Sequence, residues 1–174
     1  MTNQSLISYF YPFSSHRGDG GDDILCFTHD ALVHMADGNL KPISDVMKGD
    51  SVYTGFPDDG VGLITAVLVH KVSKPEVRVG IISTPHGDLV GTPSHPIFFE
   101  GQWMELEDAL AATNLSGSVE VRSVDFFYNL EVDGDIPGSS SHSYVVNGII
   151  ASGLGDNVEL NTMYARQKVW KAEA

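Results

Sequence analysis

Cys26 is the only cysteine in the chain, and it opens the run Cys26-Phe27-Thr28-His29-Asp30-Ala31-Leu32-Val33. Far downstream stands Gly91-Thr92-Pro93-Ser94-His95-Pro96-Ile97. A thiol, an imidazole and a hydroxyl are enough to move an acyl group, because the thiolate attacks a carbonyl and the imidazole handles protons. Each part also has a plain reading. A lone cysteine packs as a small buried apolar side chain. Thr92-Pro93-Ser94-His95-Pro96 by itself makes a rigid turn with a backbone-satisfied histidine.

These residues must be held by a fold, and the composition predicts one made of strands. The chain has 174 residues, enough for one domain with a core, and 42% of them are hydrophobic. Short apolar runs rich in Val, Ile, Phe or Tyr cover 31–35, 51–54, 63–72, 77–83, 97–99, 119–124, 126–132 and 144–151. Turn residues separate them, and Asp37-Gly38 and His86-Gly87-Asp88 read as turn tips. The expectation is a mostly-β domain. Short helical turns fit 43–47 and 105–112. A terminal helix is expected from Asn157 onward, where Leu160, Met163, Tyr164 and Trp170 share a face behind an Asn157 or Asp156 cap. The Gly/Asp-rich stretch Gly18-Asp19-Gly20-Gly21-Asp22-Asp23 reads as a linker. The chain thus divides into a flanking segment 1–25, a domain 26–155 and a helical tail 156–174.

The formal net charge of −13 excludes phosphate backbones and anionic membrane surfaces as natural partners. No apolar run is long enough to span a bilayer, and residues 1–25 lack the charged start and apolar core of a signal peptide. One cysteine allows no internal disulfide, and a lone reactive thiol survives best in reducing surroundings, which favours the cell interior. The seven histidines lack the spacing of a dedicated zinc site, so neither metal nor cofactor is expected.

Several blocks in order carry a family resemblance. Cys26-Phe27, Met35-Ala36-Asp37-Gly38 with Lys41-Pro42-Ile43, and Lys48-Gly49-Asp50-Ser51-Val52 resemble the opening of a hedgehog/intein (Hint) domain. Thr92-Pro93-Ser94-His95-Pro96 is similar to that family's second block. Tyr128-Asn129-Leu130-Glu131-Val132 and His142-Ser143-Tyr144-Val145-Val146-Asn147-Gly148-Ile149-Ile150 resemble its closing blocks. The ending Ile149-Ile150-Ala151-Ser152-Gly153-Leu154-Gly155 looks most like hedgehog proteins and the Vint domains attached to von Willebrand factor A modules. A Gly153 in place of the hedgehog cysteine, and an Asp156 in place of the Vint histidine, depart from those patterns.

The resemblance implies a horseshoe-like β fold and autocatalytic cleavage by an N–S acyl shift. Cys26 would be the nucleophile and would turn the Leu25–Cys26 peptide into a thioester. His95 would hydrogen-bond and protonate the Cys26 nitrogen, while Thr92 orients the peptide or the oxyanion. His70 stands near the hedgehog aspartate that activates a sterol, so it would be a base, although it also reads as a surface histidine on a strand. Asn129 replaces an acidic residue that assists the first cysteine in many inteins. His142 matches a recurrent histidine of the closing block. The substrate would be the chain's own N-terminal flank, and the resolving nucleophile is water, a thiol, an amine or a sterol. Inteins end in an asparagine that cyclises, and Ser152-Gly153 offers none, so cleavage without splicing follows. Two other functions fit the same residues: an inactive Hint-fold interaction module, and a multiple-turnover cysteine hydrolase.

Overall fold

A computed structural model describes residues 25–54, 60–133 and 143–153. Residues 1–24 of the flanking segment, His142 and the expected terminal helix lie outside the described residues. Among the described residues, twelve strands and one short α-helix follow in order: β1 (Leu32–His34), β2 (Leu40–Pro42), β3 (Ser51–Tyr53), β4 (Val61–Lys71), β5 (Val77–Thr84), β6 (Gly87–Gly91), β7 (Pro96–Phe99), β8 (Gln102–Glu105), α1 (Leu106–Ala112), β9 (Gly117–Arg122), β10 (Phe126–Asp133), β11 (Ser143–Val146) and β12 (Ile149–Ser152). A 3-10 turn occupies Ile43–Asp45, where the sequence predicts helical character.

The expected strands are present, with three additions and one division. β2, β6 and β8 are short; β2 and β6 carry Pro or Gly at an end and β8 holds no Val or Ile, which hides them from a search for Val/Ile-rich runs. The segment 144–151 is two strands rather than one. Asn147 and Gly148 both take positive φ, 49° and 78°, and reverse the chain in a two-residue hairpin.

Among the described residues every strand pairing is antiparallel, in three sheets. Six strands run in the order β2-β1-β11-β12-β7-β8; the other sheets are β10-β4-β3 and β6-β5-β9. Two clusters of buried side chains fill the interior. The larger gathers Phe27, Val33, Ile64, Val67, Ile97, Leu106, Leu130 and Tyr144 among others. The smaller contains Cys26 with Leu68, Val72, Val79, Ile81, Val90 and Phe127. β4 and β10 serve both, because successive strand residues face opposite ways. Leu68 and Phe127 point to the Cys26 cluster, and Val67 and Leu130 to the larger one.

The segment Leu25–Thr28 runs between β6 and β10 and bridges the two three-stranded sheets. Phe27 pairs with Gly91 on one side and with Tyr128 on the other. Its N–H donates to Tyr128 O at 2.8 Å and its carbonyl accepts from Tyr128 N at 2.7 Å. Thr28 N donates to Val90 O at 2.9 Å on the opposite side. Gly91 permits this approach. A Cβ there would lie 2.7 Å from Phe27 Cδ1 and 3.1 Å from Cys26 O.

Candidate active site

Because Leu25–Thr28 is extended between two strands, its backbone groups alternate in direction. The N–H and C=O of Cys26 face Thr92, at the end of β6, while the carbonyl of Leu25 faces β10. Cys26 N donates to Thr92 Oγ1 at 3.1 Å, and Cys26 O accepts from Thr92 N at 2.9 Å. Leu25 O accepts from Asn129 Nδ2 at 2.7 Å. Both polar atoms of the Leu25–Cys26 peptide are therefore held by side chains from elements far apart in sequence.

The Asn129 amide has only one consistent orientation. Its Oδ1 accepts from Tyr144 Oη at 2.7 Å and from Leu130 N at 2.8 Å. Two donors on that atom identify it as the oxygen, which turns the NH₂ toward Leu25 O. Asn129 is buried and stands opposite Leu68 in the β10–β4 register. An amide cannot take a proton at neutral pH, but here it donates to the carbonyl that would carry negative charge during attack.

His95 lies at the end of the Thr92-Pro93-Ser94-His95 turn, closed by His95 N donating to Thr92 O at 3.0 Å. Its ring is fully buried and packs on Phe27 with centroids 4.1 Å apart. Nε2 and Ser152 O are 3.0 Å apart. A carbonyl only accepts, so Nε2 carries the proton. Burial pushes the imidazole down from 6.5 to about 3, against a small opposing effect of the Ser152 carbonyl. The ring is thus neutral with a bare lone pair on Nδ1, which has no hydrogen-bond partner among the described residues. The bond to the Cys26 nitrogen expected of His95 is made instead by Thr92.

Cys26 is also fully buried, and burial pushes its thiol well above 9.0. Resting chemistry therefore involves a neutral thiol and a neutral imidazole. His70 lies on β4 between Leu68 and Val72, on the face those two residues turn toward Cys26, and opposite Phe127. It is half-buried beside the Cys26 cluster. The structure thus sets Thr92 and Asn129 on the Leu25–Cys26 peptide, packs His95 on the adjoining Phe27, and places His70 on the Cys26 side of β4.

Tyr144 is the site residue that sequence reasoning misses. It is fully buried, and a buried tyrosine hydroxyl needs a partner, but a Tyr among Val residues in a strand reads as core. No three His, Cys, Asp or Glu side chains among the described residues form a metal cage. His34 and His86 make only a pair, with centroids 5.1 Å apart, and His34 Nε2 accepts from Gly148 N at 2.9 Å.

Comparison with protein families matches residues 25–169 to the Vint model, described as a Hint domain. Comparison with curated proteins finds no match. Among solved structures, a DnaB intein from Synechocystis is 18% identical, with a TM-score of 0.55 over 75% of this chain and 99% of that one. A bacterial intein-like domain from Clostridium thermocellum is 16% identical, with a TM-score of 0.56 over 75% and 99%. A DnaX mini intein from Spirulina platensis is 18% identical, with a TM-score of 0.55 over 74% and 99%. At such identities the likeness shows the fold: the horseshoe-like β architecture of inteins.

Proposed function

This chain belongs to the Vint family of Hint domains, and from that premise we propose that it cuts itself at Leu25–Cys26 by an N–S acyl shift. The observation carrying the proposal is the two-sided grip on that peptide, with Asn129 on Leu25 O and Thr92 on Cys26 N. A peptide that merely passed through a core would satisfy these atoms with backbone.

The step begins with Sγ of Cys26 attacking the carbonyl carbon of Leu25 as the thiol proton passes to Nδ1 of His95. Negative charge gathers on Leu25 O, where Asn129 Nδ2–H opposes it. The proton then moves to the Cys26 nitrogen, the C–N bond opens, and a thioester and a free amine result. Thr92 holds the nitrogen in line until it leaves. His95 acts as base first and acid second, which its neutral resting state permits. The raised thiol and the lowered imidazole make their ion pair costly, and the step occurs once per molecule because the bond that breaks is the chain's own.

The thioester is resolved by water, a thiol, an amine or a sterol, and the half-buried His70 is the base assigned to that incoming group. Ser152 stands where an intein has its cyclising asparagine, so the flanks are not joined. The full burial of Cys26 disfavours a multiple-turnover hydrolase, which must admit substrates to its thiol. The same burial, with the raised thiol, favours an inert interaction module as the second reading.

Incubating the purified chain with dithiothreitol or hydroxylamine decides between them. The expected product is a fragment with Cys26 at its N-terminus, identified by mass, and Cys26→Ala should stay whole. A wild-type chain that remains intact over days with strong nucleophile supports the inert module.

A further inference from the structure

We infer that Tyr144 is a positioning residue for the cleavage, acting through Asn129; this rests on the acyl-shift reading above. The Asn129 amide can donate to Leu25 O only if its oxygen is turned away, and two groups hold that oxygen. One is the neighbouring Leu130 N–H at 2.8 Å, fixed by chain connectivity. The other is the Tyr144 hydroxyl at 2.7 Å, which comes from β11, the first strand of the closing hairpin. Tyr144 is itself locked. It is fully buried, its ring meets Phe27 edge-on with centroids 6.4 Å apart, and its backbone pairs with Ala151.

The relay runs Tyr144 Oη–H to Asn129 Oδ1, then Asn129 Nδ2–H to Leu25 O. Donation into the amide oxygen polarises the amide and makes its N–H a stronger donor to a developing oxyanion. The same hairpin supplies Ser152 O, which fixes the proton on Nε2 of His95. The closing hairpin thus orients both the oxyanion donor and the imidazole of the N-terminal reaction, although it supplies no asparagine of its own.

The test is a double-mutant cycle on thiol-induced cleavage of the full chain. Asn129→Ala should slow the thioester step by about 10²–10³-fold, the usual loss for one oxyanion donor. Tyr144→Phe should slow it by about tenfold, the scale of one hydrogen bond. Adding Tyr144→Phe to Asn129→Ala should change nothing further, because the hydroxyl then has no amide to orient.

A tenfold loss that persists in the Asn129→Ala background would make Tyr144 structural and overturn the inference. So would an unchanged rate in Tyr144→Phe alone. Asn129→Asp adds an independent readout. A carboxylate cannot donate to Leu25 O, but a protonated one can, so this variant's rate relative to wild type should recover as pH falls. If it cleaves faster than wild type at neutral pH, position 129 works as a base and the relay is wrong. Failure of the wild-type chain to cleave would instead refute the acyl-shift reading on which the relay depends.

Discussion

Acid should destabilise this domain through His95, by an amount the buried ring allows to be worked out. Folded, the imidazole titrates at about 3; unfolded, it returns to its ordinary 6.5. Below 6.5 the unfolded chain binds a proton that the folded chain refuses. Stability is therefore complete above pH 6.5, falls between 6.5 and about 3, and loses no more to this group below that. The difference amounts to about 2 kcal/mol at pH 5 and about 3 kcal/mol at pH 4. At about 2–4 °C per kcal/mol for a chain of this size, the pH 5 loss is about 4–8 °C of melting temperature.

The assay compares Cys26→Ala, which keeps the chain whole, with Cys26→Ala/His95→Gln. The glutamine amide can still donate to Ser152 O but does not titrate. His34, held below 6.5 by burial and by His86, adds a loss of the same sign. His34 and the carboxylates are common to both variants and cancel in the difference. The histidine variant should lose about 4–8 °C more than the glutamine variant between pH 7.5 and pH 5. Parallel melting curves would show that His95 takes its proton in the fold, and the neutral imidazole assigned to the mechanism would be refuted.

Gly91→Ala should both destabilise the domain and slow cleavage, because its Cβ would stand 2.7 Å from Phe27 Cδ1 and 3.1 Å from Cys26 O. Overpacking of this kind costs about 1–3 kcal/mol, and a displaced peptide slows reaction by about 10²-fold; unchanged melting and cleavage would mean the close approach is not required. With a tag fused to each end, the chain should release the N-terminal tag and never yield a tag–tag product, since Ser152 cannot cyclise. A joined product on a gel would transfer the second step to another residue and overturn the branch assignment.

What the sequence discloses and what it conceals divide along physical lines. Cys26, Thr92 and His95 are legible because each is a chemically distinctive type in a recognisable local block, and the antiparallel pairing of Phe27 with β6 brings those blocks together. The strands with unbroken Val/Ile runs are legible for the same local reason. β6 is not, since Gly87-Asp88-Leu89-Val90-Gly91 reads as turn at both ends. Its terminal glycine is there for the close passage of Phe27, a contact that no window of sequence contains. The hairpin at Asn147-Gly148 is a different case: an Asn-Gly pair between apolar runs is a strong local turn signal, and the continuous apolar character of the flanks masks it.

Asn129 shows where residue type stops and geometry begins. Read as a replacement for a carboxylate, it has lost the ability to accept a proton, and that loss counts against activity. An amide, however, has two ends, and which end meets Leu25 is decided by what holds the other. That choice belongs to the neighbouring Leu130 N–H and to Tyr144, 15 residues away in the chain, whose hydroxyl the sheet geometry carries to 2.7 Å from Oδ1. With the oxygen occupied, the nitrogen has to face the carbonyl. The amide that stands in place of a base therefore leaves a donor aimed at Leu25 O, the atom where charge develops in the proposed acyl shift. In the proposed acyl shift, a donor at this position leaves the deprotonation of Cys26 to another group, and the proposal assigns it to His95, whose Nδ1 is a buried lone pair.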